Sequence, residues 1–166
     1  MKKILFLLAI VGVLFISSGQ TYEQQSLVPS LHKWLPGKPF EGLLSTLQIP
    51  YWGKIISVEE RGYYYFVEFL LRKSAHFFIF GLLAIAVYSV LPKMRLRSVF
   101  ALGITFLLAI ADEYHQSLTG GRTPTINDVY LDMSGAITFI VFLHIIQLTR
   151  EKIKKRRQSE IHKNHT

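Results

Sequence analysis

The sequence predicts an all-α integral membrane bundle of four transmembrane helices, with an aromatic-rich outer segment between the first and second. Three observations predict it. Half of the residues are hydrophobic and only 18% are charged, with a mean hydropathy of +0.30, a balance that a soluble domain of this length hides from water with difficulty. Apolar stretches at about 4–18, 75–91, 98–116 and 129–148 are separated by polar or basic flanks. Polar and ionisable residues gather at the edges of the later stretches: Asp112, Glu113, His115 and Gln116, then Arg122, then Asp128 and Asp132. Charge at membrane depth costs a few kcal/mol or more unless it is paired or hydrated, so such residues are usually retained for a function.

The first stretch, Ile4 to Ser18, follows Lys2 and Lys3. It is short against the roughly 20 helical residues that cross a bilayer. A signal peptide and an uncleaved signal anchor both fit its basic start and its Ser17-Ser18-Gly19 end; the uncleaved form is the preferred reading. The outer segment then carries Pro29, Pro36, Pro39 and Pro50 with Trp34, Tyr51, Trp52 and the run Tyr63 to Phe66. Aromatic rings with one polar edge favour the headgroup layer, which places this segment on the membrane. Ser57 and Glu60 form a capping-box pattern for a helix approaching the second span.

The second stretch, Ala75 to Leu91, lies between Arg72-Lys73 and Pro92-Lys93. The third runs from Ser98 to about Gln116. The fourth starts near Asp128, where Asn127 or Asp128 can cap its first turn, and ends at Leu148. Between them TGGRTPTIND reads as a tight loop, with glycines for unusual backbone angles and Pro124 to stop a helix. Residues 1–149 thus form one membrane domain and 150–166 a basic cytoplasmic tail.

Lysine and arginine set the orientation. Lys2 and Lys3, then Lys93, Arg95 and Arg97, then Arg150 to Arg157 flank the stretches on one side, the cytoplasmic side by the positive-inside rule. Both termini are then cytoplasmic and the polar cluster faces outward. Arg72, Lys73 and Arg122 oppose the rule, but each stands near an acid or a lipid phosphate. The net charge of +8 sits at helix ends and in the tail, which fits anionic lipid headgroups and not nucleic acid. With no cysteine, disulfides, thiol catalysis and a lipoprotein anchor are excluded.

Spacing shows which side chains can meet. Asp112, His115 and Gln116 recur at three and four, Glu113 precedes Gln116 by three, and Asp128, Asp132 and Gly135 form a stripe. His76, four after Arg72, can join the same cleft. The catalytic candidates are His76, Asp112, Glu113 and Asp132. The ligand-binding candidates are Lys73, His76, Glu113, Gln116, Arg122, Asp128 and Asp132, with the Arg122 guanidinium suited to a carboxylate or phosphate. Plainer roles compete: Arg72 and Lys73 as interfacial anchors, Asp128 as a helix cap, His115 and Tyr114 as surface residues, and the whole cluster as an internally paired network. No HExxH or comparable spacing makes a metal site specific, and no cofactor is expected. Gly81, Gly103, Ser134, Gly135 and Ala136 offer small surfaces for close helix approach.

RKSAHFFIFGLLA at 72–84 and ADEYHQSLTGGRTPTINDVYLDMSGA at 111–136, with hydrophobic segments at each end, resemble the VanZ family of small bacterial membrane proteins. The resemblance implies a multi-pass protein of the plasma membrane. The family takes its name from a protein associated with low-level resistance to the glycopeptide teicoplanin, without an agreed molecular activity. Two functional classes follow. One binds an outer-leaflet lipid, wall precursor or glycopeptide through Arg122, Lys73 and the acids. The other is an intramembrane acid/base or metal-assisted enzyme, with Glu113 or Asp112 as base, His76 as acid or metal ligand and Arg122 beside phosphate-like charge.

Overall fold

The computed structural model describes residues 1–51, 53–119 and 125–163. The chain is mostly helical. In order come α1 (Lys2–Ser18), α2 (Val28–Trp34), α3 (Glu41–Leu44), β1 (Ile49–Tyr51), β2 (Lys54–Ile56), α4 (Val58–Arg61), α5 (Tyr63–Val90), α6 (Arg97–Ser117) and α7 (Ile126–Lys163). Three helices, α5, α6 and α7, are long and apolar enough to cross a membrane. Helix α1, at 17 residues, spans about 25 Å at about 1.5 Å per residue. It packs along α5 and α6 and buries Ile10 in the same core as Phe80, Leu83, Ala101 and Ala109.

Two helices run further than their hydrophobic stretches indicate. Helix α5 starts at Tyr63 and not at Ala75, because Gly62 (φ +81) ends α4 and turns the chain. Arg72 and Lys73 therefore sit inside a helix, their charges turned to partners beside it. Helix α7 continues past Leu148 to Lys163. The lysine-, arginine- and glutamate-rich sequence there holds no glycine or proline, and these residues are good helix formers. At its start the Thr125 hydroxyl accepts from the Asn127 N–H at 3.0 Å, the capping role expected of Asn127 or Asp128. Asp128 is thereby left for other partners.

The β1–β2 hairpin departs from the all-α expectation. It pairs antiparallel with Ile49 opposite Ile56 and Tyr51 opposite Lys54, and Gly53 takes φ +70 in its turn. Isolated two-stranded hairpins are marginal in water. This one is held because Ile56, with Val58, Tyr63 and Phe66, buries against the first turns of α5. Ser57 caps α4 by accepting from the Glu60 N–H at 3.2 Å, half of the expected capping box.

Helices α5 and α7 run parallel, matching His76 to Asp132, Phe77 to Phe139 and Tyr88 to His144. Helix α6 runs against them, with Ser98 hydrogen-bonded to His144 at 2.8 Å. Fully buried Ala84, Ala86, Ala101, Ala109 and Ala136 let the helices approach closely. Gly135 is the tightest point, since a Cβ there would collide with the Phe77 backbone carbonyl. Gly81 faces the Phe139 ring, whereas Gly103 faces open space. Two ends result. One holds the starts of α5 and α7, the ends of α1 and α6, and the hairpin; the other holds Lys2, Lys3, Lys93, Arg95 and Arg97.

Candidate ligand-binding site

The first end of the bundle holds four connected polar groups. Glu68 is 1% exposed and accepts from the Tyr22 hydroxyl at 3.0 Å, the Leu27 N–H at 2.7 Å and an Arg72 guanidinium nitrogen at 3.3 Å. Arg72 also donates to the Tyr22 carbonyl at 3.2 Å and lies 4.4 Å from the centre of the Tyr22 ring. A buried carboxylate needs this compensation. Burial, and then the Glu68 charge, push the Tyr22 phenol above its usual range.

One turn on, Lys73 pairs with Asp128 of α7 and donates to the Tyr51 hydroxyl at 2.8 Å. Tyr51 in turn donates to Asp128. This clasp joins α5, α7 and the hairpin. Burial, followed by the hydrogen bond to Asp128, holds the Tyr51 phenol far above its usual range, so it remains a donor.

Deeper still, His76 Nδ1 stands 3.3 Å from Oδ1 of Asp132, which is fully buried. The separation is that of an ion pair, and neither Asp132 oxygen accepts a hydrogen bond from the described residues. Glu113, also buried, accepts from the Thr125 N–H at 2.9 Å through Oε2, and among the described residues its Oε1 has no hydrogen-bond partner. The fourth group joins α1 to α6. Ser18 donates to Asp112 Oδ1, and Gln116 donates to Asp112 Oδ2 at 2.7 Å.

These groups surround a cleft of about 360 Å³. Lys54, Arg61, Arg72 and Lys73 bring positive charge to it, against Asp128. Tyr22, Tyr51, Tyr65 and Phe69 supply aromatic walls, and His76, Gln116 and Thr125 also line it. Among the described residues, no group of three or more His, Asp and Glu converges as a metal-ligand set. The arrangement can hold an anion between the cations, and can offer it the imidazole of His76.

Of the residues singled out in the sequence, Lys73, His76, Gln116 and Asp128 line the cleft. Asp132 lies behind His76, Glu113 reaches Thr125, and Asp112 turns toward α1. His115 stacks on Phe15 of α1 with ring centres 4.6 Å apart. Arg122 falls outside the described residues. Sequence reasoning missed Glu68 and Tyr22, and read Tyr51 only as a headgroup-layer aromatic and Ser18 only as the end of the first stretch. The signal for Glu68 was present, as an acid four residues before Arg72 within an otherwise aromatic and apolar run.

Apolar helices meeting at a charged cleft define a helical membrane protein with a polar site between its spans. The family model for VanZ/LLP1 matches residues 3–147, and the chain belongs to that family. The matched region contains every residue that lines the cleft. No curated protein and no solved structure matches the chain.

Proposed function

We propose that the protein binds a phosphate-bearing envelope lipid, taking its headgroup into the cleft from the outer leaflet of a bacterial plasma membrane. The convergence of Lys54, Arg61, Arg72 and Lys73 on one aromatic-walled cleft carries this reading. Four cations, with Asp128 facing them and Glu68 paired to Arg72, leave the cleft with an excess of positive charge, which a phosphate complements. Lys73 is the movable member. It is held by Asp128, and a doubly charged phosphate competes for it while Tyr51 stays on Asp128. Sugar hydroxyls or amines beyond the phosphate meet Asp128 and Gln116.

In this reading α1 is a fourth span, the cleft end faces outward, and both termini are cytoplasmic. Sequestering or presenting such a lipid alters what glycopeptides such as teicoplanin meet at the surface, so loss of the protein shifts teicoplanin susceptibility. The direct test measures binding of a long-chain lipid phosphate to protein in neutral-lipid nanodiscs. Lys73→Ala, with Arg61→Ala, is expected to weaken it about tenfold or more, the scale of a lost charge-assisted bond. Unchanged affinity would remove the basis of the proposal.

The buried pair His76 and Asp132 favours a second reading, chemistry on the bound headgroup. Asp132 Oδ1 stands 3.3 Å from Nδ1, so Nε2 is the nitrogen left for a ligand. Glu113 adds a second acid, held at Thr125. Glu113→Gln and Asp132→Asn are each expected to abolish the phenotype while the protein stays in the membrane. Lipid binding retained by both variants favours chemistry; a normal phenotype in both counts against any role for this pair of acids.

A further inference from the structure

A second cavity, of about 320 Å³, lies between α1 and α6. Leu14 and Phe15 of α1, Leu108 and Ala111 of α6, and Leu118 just past its end give it apolar walls. From Leu108 to Leu118 it extends roughly 15 Å along α6, at about 1.5 Å per residue. Apart from Asp112, Tyr114 and His115, its lining offers a polar ligand little, whereas a hydrocarbon chain matches its length and its apolar walls.

The apolar groove and the charged cleft meet at one pair of side chains. Asp112 lines the groove, Gln116 lines the cleft, and a 2.7 Å hydrogen bond joins them. Ser18 approaches from α1 and donates to the other Asp112 oxygen. Both carboxylate oxygens therefore have a donor at the junction, which lessens their repulsion of a phosphate in the adjoining cleft. A charged volume and an elongated apolar volume, adjacent and at the same end of the bundle, have the two-part form of an amphiphile.

We propose that the groove between α1 and α6 receives the hydrocarbon chain of the same lipid whose phosphate occupies the cleft. The site then selects long-chain phosphates over soluble ones, and α1 is part of the ligand site. This inference rests on the headgroup reading given above.

The test uses the full chain in phosphatidylcholine nanodiscs, with dodecyl phosphate and ethyl phosphate as probes and calorimetry corrected for empty discs. Ala111 is exposed on the groove wall, so Ala111→Trp places an indole in the groove and leaves the helix core untouched. The variant is expected to lose about tenfold in affinity for dodecyl phosphate, the contacts of roughly two methylene groups, and to bind ethyl phosphate as the wild type does. Leu118→Trp, at a second exposed position on the groove, is expected to act in the same direction. Wild-type affinity for dodecyl phosphate in both variants, with ethyl phosphate still bound, overturns the groove and spares the headgroup site. Failure of the wild-type protein to bind either probe overturns both.

Discussion

Glu68 shows how a single residue organises the site without facing a ligand. Its carboxylate draws the Tyr22 hydroxyl, the Leu27 N–H and Arg72 to one buried point, tying the chain after α1 to α5. Removing one partner of a buried charge set leaves the others uncompensated, at a cost of about 3 kcal/mol or more. Glu68→Ala is therefore expected to lose stability on that scale, and Glu68→Gln, which retains an acceptor for Leu27, to lose less. Unfolding of the detergent-solubilised protein measures both; a neutral alanine variant would show that the network is incidental. The residues later seen at the cleft were legible because ionisable groups beside apolar runs need a reason. Their pairings were not, because rotation about each helix decides whether Asp112 meets Ser18 or His76, and spacing along one helix does not contain that rotation.

At the scale of elements, the close approach of α5 and α7 fixes the depth at which His76 meets Asp132. Gly135 makes it possible, because any side chain there strikes the Phe77 carbonyl, which belongs to backbone and cannot rotate away. Gly135→Ala is expected to destabilise the bundle by about 1–3 kcal/mol, the usual cost of overpacking, and to weaken lipid-phosphate binding by separating the paired residues. Gly103→Ala, into open space on α6, is the matched control and is expected to be neutral or slightly stabilising. Equal effects of the two substitutions would exclude close approach as the cause. Both glycines stood out in the sequence as small residues on apolar helices, but only packing separates them. The ends of α5 and α7 were similarly illegible: Arg72 and Lys73 read as a boundary until partners appear beside the helix, and the basic tail read as solvated chain although its composition favours helix.

For the whole molecule, the charge distribution turns the architecture into a statement about sides. The cleft, the hairpin and the outer segment occupy one end, while Lys2, Lys3, Lys93, Arg95 and Arg97 occupy the other, with the basic end of α7 beyond them. Positive charge near helix ends is retained on the cytoplasmic side, so the proposed orientation has the cleft end outward and α1 crossing, with both basic termini on one side. The cations of the cleft are the apparent exceptions, and pairing explains two of them: Arg72 is bound to Glu68 and Lys73 to Asp128. The chain has no cysteine, so single cysteines report position cleanly. Gly42→Cys, on exposed chain with nothing within 4 Å of its Cβ, is expected to react with a membrane-impermeant maleimide in intact cells. Ser159→Cys, in the exposed extension of α7, is expected to react only after permeabilisation. The reverse pattern would place the cleft in the cytoplasm and replace outer-leaflet lipids with cytoplasmic phosphates as its ligands. Labelling of both sites in intact cells would mean that the bundle does not hold its two ends on opposite sides of the membrane, which overturns the spanning arrangement itself.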